Sequence, residues 1–152
     1  GIALARGLGQ NRLVRPAIIA IAALLVGPGL IVNLVFKELW GRPRPVNTDI
    51  FGGGFPFVPA GQWSDYCASN CSFVSGESSA MFWLLCLVPL APLAWRWPAG
   101  IALFGLAALA AGMRVAFGAH YLSDIVLGAL AAGVAYILVL AAAERFFPTK
   151  SG

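Results

Sequence analysis

His120 is the one histidine in this 152-residue chain, and it stands six residues after Arg114 and four before Asp124. An imidazole near neutral pH can serve as nucleophile, acid or base, and a nearby carboxylate can hold one ring nitrogen while the other stays free to attack. Residues four apart share a helix face, so His120 and Asp124 suit the roles of nucleophile and orienting partner. The same two residues also fit a plainer arrangement, a polar histidine at a helix end and an aspartate in the first helical turn, where its charge meets the positive end of the helix dipole. Arg114 cannot share the face of His120 on one unbroken helix. The chain is therefore expected to break near Gly118, where glycine supplies the backbone freedom.

Other residues could complete such a site. Lys37, Arg44 and Arg114 lie at the ends of apolar runs, where ionised groups are costly unless they meet water, a partner or a ligand, and three cations on one side suit a phosphate. Ser75 and Gly76 precede the run that starts near Ser78, so their backbone N–H groups are expected at a helix N-terminus, already an anion site, with the Ser75 hydroxyl as a further donor. Glu77 beside them admits two roles. Burial would raise its pKa and make it a general acid, whereas neighbouring cations would lower it and make it an ionised partner. Taken singly, Lys37, Arg42 and Arg44 read equally well as a basic anchor after a span, and Ser75 to Ser78 as an ordinary helix cap. Their joint occurrence is what argues for a site. No His/Cys/Asp cluster with metal-ligand spacing is present, so neither a metal nor another cofactor is expected.

The elements that must bring these residues together are apolar. The chain is 60% hydrophobic and 11% charged, against roughly one quarter charged in soluble domains. Uncharged stretches run over about 16–36, 78–95, 97–113 and 125–143. Each approaches the roughly 30 Å hydrocarbon core at about 1.5 Å per residue, the third being the shortest. Only helices satisfy their own backbone in lipid without closing a barrel, so the expected fold class is all-α, a polytopic transmembrane helix bundle with four spans in a single domain, 1–152. Pro28, Pro89 and Pro92 fall within the runs and predict kinks, while Gly128, Ala132 and Gly133 predict close helix contact.

Charge sets the orientation. Placing Arg6, Arg12 and Arg15 in the cytoplasm also puts Arg96, Arg145 and Lys150 there after four crossings, and leaves Lys37, Arg42, Arg44 and Arg114 outside with the 37–77 loop and the His120 turn. The net charge of +4 is scattered over span ends and forms no stripe, so nucleic acid is not an expected partner. The polar stretch Gly7 to Arg15 lacks the order of a signal peptide, and the chain reads as trimmed at its start. The outer loop is long for a connection and is read either as a functional lid or as a floppy segment. Cys67 and Cys71 within it would pair in an oxidising compartment or remain two thiols, while Cys86 lies in a span and packs.

Three motifs together resemble the type 2 phosphatidic acid phosphatase superfamily, the lipid phosphate phosphatases, over the region from Lys37 to Asp124. Lys37-Glu-Leu-Trp-Gly-Arg-Pro-Arg44-Pro45 fits the first motif, a lysine, six residues, then Arg-Pro. Val74-Ser75-Gly76-Glu77 keeps the central pair of the usual Pro-Ser-Gly-His, and Met113-Arg114, His120 and Asp124 keep the spacing of the third motif with Met in place of Ser. The resemblance implies that His120 forms a phosphohistidine, that Asp124 orients it, and that Lys37, Arg44, Ser75, Gly76 and Arg114 cradle the phosphate, without a metal. It also implies a general acid where Glu77 stands. Leaving groups that need little protonation, such as an anomeric oxygen or a diphosphate, suit a glutamate there, and some lipid A phosphatases look similar around a Ser-Gly-Glu segment.

The function expected from residues and resemblance together is a phosphoric monoester hydrolase of the membrane. Its substrate would be a lipid phosphate, met on the periplasmic or extracytoplasmic side of a bacterial inner membrane. Family members commonly have six spans, so the resemblance places a further pair before Arg12. Two competitors come from other classes. One is an inert membrane scaffold that binds a phospholipid head group, and the other is a soluble vanadate-dependent haloperoxidase with a similar cradle, against which the four apolar runs stand.

Overall fold

The structure, a computed structural model, describes residues 13–148. The expected inner positions Arg6, Arg12 and Lys150 lie outside the described residues, as does most of the Gly7 to Arg15 stretch. Four helices account for most of the described chain. They are α1 (Val14–Leu39), α2 (Gly76–Leu90), α3 (Leu93–Ala116) and α4 (Leu122–Phe146). Residues 40–75 form the connection between α1 and α2, with two short 3₁₀ turns at Pro45–Asn47 and Asp49–Phe51. The chain is thus an all-helical membrane bundle.

Three of the helices, α1, α3 and α4, are long and apolar enough to cross a membrane, while α2 is shorter. This shifts the boundaries expected from composition. The second apolar run does not continue to Trp95, because Ala91, preceding Pro92, takes an extended conformation with φ −71° and ψ 149°. The proline ring disfavours helical backbone in the residue before it. The Arg96 guanidinium turns back to donate to the carbonyls of Pro89 (3.0 Å) and Ala91 (3.3 Å). It thereby satisfies acceptors that α2 leaves open at its end. The helix after the break begins at Leu93, so α2 and not the third helix is the shortest.

The other expected irregularities have the same cause. Pro28 lies inside Leu25–Phe36, where α1 widens to π-helical geometry, and Pro89 lies in the 3₁₀ end of α2, Leu84–Leu90. A proline supplies no backbone N–H and crowds the preceding turn, so the regular ladder is re-spaced there.

α4 packs extensively against both α1 and α2. Its contact with α2 is close because Gly128 faces the Ser75 carbonyl, which a β-carbon would strike, and Ser78 Oγ donates to the Ile125 carbonyl at 2.8 Å. Ala132 is buried in the bundle, and Gly27 of α1 also lies close enough to Ala135 that a β-carbon would strike it. Gly133 differs from expectation. It faces open space, since the contact stripe of α4 follows 128, 132 and 135 and leaves 133 on the outer side. Trp83 Nε1 donates to the Ala20 carbonyl at 2.7 Å, tying α2 to α1.

The 40–75 connection is tethered along its length. Trp40, Phe36 and Phe73 interlock, with Trp40 and Phe73 stacked at 4.7 Å between ring centres. Backbone bonds run from Ser64 to Trp40, Cys67 to Gly41, Cys71 to Lys37 and Ser72 to Arg42. Cys67 and Cys71 are joined by a disulfide, and Cys86 is a buried free thiol. Val46 N–H donates to the Gly118 carbonyl at 3.1 Å, docking this loop on the α3–α4 turn.

Candidate active site

The α3–α4 turn carries the histidine. α3 stops at Ala116, Gly118 takes φ +63°, and the N–H groups of Ala119 and His120 both donate to the Arg114 carbonyl. The positive φ is a conformation that favours glycine. It folds the chain back over the end of α3, so Arg114 and His120 come to the same place. The side chain of His120 is wholly buried there.

Four of the expected residues converge on one point. Glu77 Oε1 accepts from Arg114 Nη2 at 3.0 Å, and Glu77 Oε2 lies 3.1 Å from His120 Nε2 and 3.8 Å from Lys37 Nζ. Glu77 sits in the first turn of α2, just ahead of the apolar run beginning at Ser78. A carboxylate is therefore held by two cations and an imidazole at a helix N-terminus, the arrangement that binds small anions. The hydrogen bond from His120 and the charges around it hold the Glu77 carboxyl well below the usual carboxylate range, against the opposing effect of burial. In this geometry Glu77 is an ionised partner and carries no proton to give.

The imidazole is fixed from its other side by a group that the sequence does not single out. Nδ1 lies 2.8 Å from the Ser72 carbonyl, whereas the nearest oxygen of Asp124 is 3.9 Å away. The expected direct hydrogen bond from the ring to Asp124 is thus replaced by one to a backbone acceptor, with the carboxylate behind it. A carbonyl only accepts, so Nδ1 carries a proton. Nε2 faces a carboxylate, which also only accepts, so it carries one too. Burial alone would favour the neutral ring, but the Asp124 carboxylate beside Nδ1, the Glu77 carboxylate on Nε2 and the Ser72 carbonyl outweigh it and raise the His120 pKa. Both ring nitrogens thus face acceptors, a setting that favours the imidazolium over the neutral ring.

Asp124 is the centre of a second, fully buried layer. Its Oδ1 accepts from Arg42 Nη1 at 2.6 Å, and its Oδ2 accepts from Ser72 Oγ at 2.5 Å and from the Tyr121 N–H at 3.1 Å. The last bond caps the first turn of α4, so the plainer reading of Asp124 also holds. Arg42, read from sequence as part of a basic anchor, is instead 2% exposed. Its Nε donates to the Val58 carbonyl at 2.8 Å, its Nη1 also reaches Ser123 Oγ at 3.0 Å, and its guanidinium lies 3.9 Å over the Tyr121 ring. Both members of the buried charge pair thus carry further hydrogen bonds that offset their desolvation. The second arginine-proline pair at Arg42-Pro43 is the one signal that could have drawn attention to this residue. Nothing in the sequence marks Ser72.

The remaining expected residues stand at the margin. Arg44 donates from Nε and Nη2 to the Asn70 carbonyl and from Nη2 to Asn70 Oδ1, at 3.1–3.4 Å, and does not touch Glu77. Ser75 Oγ accepts from the Ser78 N–H as the cap of α2, and the Ser75 N–H donates to the Asp124 carbonyl. That N–H is therefore committed to the scaffold and not to the cradle. Gly76 abuts Asn33, whose side-chain oxygen a β-carbon would strike, so its role here is close approach of α2 to α1. Beside Glu77 and Arg114 a cavity of about 320 Å³ opens between α2 and α3, lined otherwise by Ser78, Met81, Ala110, Met113 and Phe117. No group of three His, Cys, Asp or Glu side chains among the described residues is placed to hold a metal ion.

The sequence pattern of the PAP2 superfamily matches residues 16–148. The chain belongs to this superfamily. It is similar to proteins named lipid A 4'-phosphatase from three organisms. Identity is 49% over 126 residues in Rhizobium leguminosarum, covering 83% of this chain and 54% of the relative. It is 48% over 126 residues in Rhizobium etli, covering 83% and 49%. It is 47% over 118 residues in Francisella tularensis subsp. novicida, covering 74% and 51%. The chain thus spans about half the length of these relatives. No solved structure matches it significantly. The PAP2 match runs through all four helices, so the cation cluster and the buried Arg42–Asp124 layer both lie within the family's domain.

Proposed function

We propose that this PAP2 chain carries the catalytic site of a lipid phosphate phosphatase that hydrolyses a phosphate monoester of an amphiphile through a phosphohistidine. The observation that carries the proposal is the convergence of Lys37, Arg114 and His120 on one small anionic group at the N-terminus of α2. Lys37, Arg114 and the helix end would stabilise charge on the phosphoryl oxygens in the transition state. Nε2 of a neutral His120 would attack phosphorus, the P–O bond to the lipid would break, and water would later release phosphate from the ring. The Nδ1–H bond to Ser72 fixes which nitrogen faces the substrate, and the Asp124 carboxylate favours the positive charge of the phosphorylated ring.

The amphiphile follows from the surroundings. The cavity beside Glu77 is polar at the Glu77–Arg114 end and lined by Met81, Ala110, Met113 and Phe117 elsewhere, so a phosphate and an apolar chain would lie in it together. A second cavity of about 250 Å³ within the outer loop, bordered by Phe57, Gln62, Trp63, Asp65 and Tyr66, would meet a bulky polar head group. The names of the similar proteins favour lipid A, with the reaction on the extracytoplasmic face where the orientation by charge puts Lys37 and Arg114. Arg44 would join the cradle only after leaving Asn70.

The experiment is phosphate release from lipid A and from phosphatidic acid in detergent, with and without chelator, by the full protein and its His120→Asn variant. Turnover that persists in the variant overturns the mechanism. Saturable lipid binding without turnover by the unaltered protein would select the inert scaffold instead.

A further inference from the structure

The resting site is already full. The carboxylate that Lys37, Arg114 and His120 hold belongs to the protein itself, and it occupies the Nε2 edge of an imidazole that is 0% exposed and whose other nitrogen is taken by Ser72. Nε2 is also protonated in this contact and has no lone pair for attack. Neither condition is compatible with turnover.

We propose that Glu77 is a built-in stand-in for the substrate phosphate: its carboxylate closes the cradle in the resting protein and is exchanged for the phosphate before His120 acts. The proposal rests on the phosphatase reading above and deepens it. Three features of the geometry carry it. Glu77 is the most accessible member of the cluster, with 44% of its side chain exposed above a histidine that is sealed, so it can swing away without disturbing the scaffold. Room lies beside it, in the cavity between α2 and α3. The cradle is also under-filled by a carboxylate. Arg114 engages Glu77 through Nη2 alone, and its buried Nε–H has no acceptor among the described residues. A phosphate, with three terminal oxygens, can take the arginine fork, the lysine and the imidazole edge at once.

The exchange also settles the proton. While the carboxylate is in place, the Nε2–H bond points at Oε2. As the phosphate takes over Lys37 and Arg114, Glu77 loses both ion-pair partners and gains an anion beside it, which favours its protonated form. The Nε2–H bond breaks, an O–H bond forms on Glu77, and the ring is left neutral with its lone pair towards phosphorus. When the P–O bond to the lipid breaks, that proton passes from Glu77 to the leaving oxygen. Glu77 therefore acts as an acid without being protonated at rest.

The probe is inorganic orthovanadate, a phosphate mimic, titrated into the detergent-solubilised full protein and its Glu77→Gln and Glu77→Asp variants, with retained thermal transitions as the check on folding. Removing the internal competitor or shortening its reach is expected to tighten vanadate binding by about tenfold or more, a modest value because the displaced carboxylate is partly exposed and screened. The kcat of Glu77→Gln on an alkyl phosphate is expected to fall at least about tenfold for want of the proton donor. Carbethoxylation of His120 should be faster in Glu77→Ala than in the unaltered protein. Equal or weaker vanadate binding in both folded variants overturns the stand-in while leaving the phosphatase reading intact, provided the unaltered protein binds vanadate and releases phosphate. Failure of every form to bind vanadate overturns both.

Discussion

Replacing Arg42 by methionine tests the buried layer beneath His120. Methionine keeps much of the apolar length of the side chain but removes the partner of a carboxylate that is 0% exposed. Asp124 would retain two donors, Ser72 Oγ and the Tyr121 N–H, and lose the guanidinium at 2.6 Å, while the Val58 carbonyl would lose its donor as well. Stranding one member of a buried charge pair costs about 3–5 kcal/mol, so the unfolding free energy in detergent should fall by that amount. Activity should fall with it, because Ser72, which holds Nδ1 of His120, is itself held by Asp124. The control is the double variant with Asp124→Asn. If the cost arises from an uncompensated charge, the two substitutions together should be less harmful than the sum of the singles by about 2 kcal/mol or more, since the second removes the charge that the first exposes. A loss under about 1 kcal/mol for Arg42→Met, or strict additivity in the double variant, would refute the reasoning.

The remaining predictions concern the cradle and its supports. On the proposed mechanism the neutral ring attacks, and the His120 pKa is raised in the free protein, so kcat/KM should rise with pH through a value above the ordinary histidine range, and Glu77→Gln should move that acid limb to lower pH; an unmoved limb would count against the contact. The same raised pKa means that the stabilisation from charged His120 is present below its unfolded value and lost as pH rises through the folded one. Stabilisation from Glu77, whose pKa is lowered, is present above its unfolded value and lost only in strong acid. Gly128→Ala drives a β-carbon into the Ser75 carbonyl and should cost about 1–3 kcal/mol, whereas Gly133→Ala, facing open space, should be neutral or stabilising by up to about 1 kcal/mol; paired thermal melts compare them. Replacing both Cys67 and Cys71 by serine releases a five-residue loop and should cost about 2 kcal/mol on the chain-entropy account. It should also change KM, because Asn70, the tether of Arg44, lies inside that loop.

The parts of this fold that one stretch of sequence decides on its own were legible in it. Apolar length predicts helices at Pro16, Ile125 and their neighbours, and the six-residue gap between Arg114 and His120 demands the turn that Gly118 supplies. The end of α2 was not legible from hydropathy, because Ala91 and Trp95 are as apolar as what precedes them. Backbone geometry before Pro92 ends the helix, and Arg96 caps it. Gly133 looked equivalent to Gly128 because composition does not say which side of α4 meets α2. The site divides in the same way. Lys37, Glu77, Arg114 and His120 are recognisable as chemistry by residue type, and they do meet. Arg42 is not recognisable, since an arginine beside a span reads as an anchor until Asp124, 82 residues away, is known to be its partner.

That contrast bears on what the glutamate does. A histidine at position 77 would be a fourth cation-capable group beside Lys37, Arg114 and His120 and would leave the site open to any anion. Glu77 reverses the sign. It balances Lys37, Arg114 and the charged His120 while no substrate is bound, so these cationic groups can stay close together at the end of an apolar bundle without a ligand. Like charges so placed would otherwise repel. A substrate must then bring enough negative charge to outcompete an internal carboxylate held by the same groups. A phosphate monoester, with up to two charges on three terminal oxygens, does this. A diester or a neutral head group, with one charge or none, does not. The same residue that makes the empty site stable thus sets a threshold for entry, and this predicts discrimination against phosphodiesters. Glu77→Gln should narrow the difference in affinity between a monoester and a diester of the same lipid. If the gap is unchanged in the variant, the threshold lies elsewhere in the cradle.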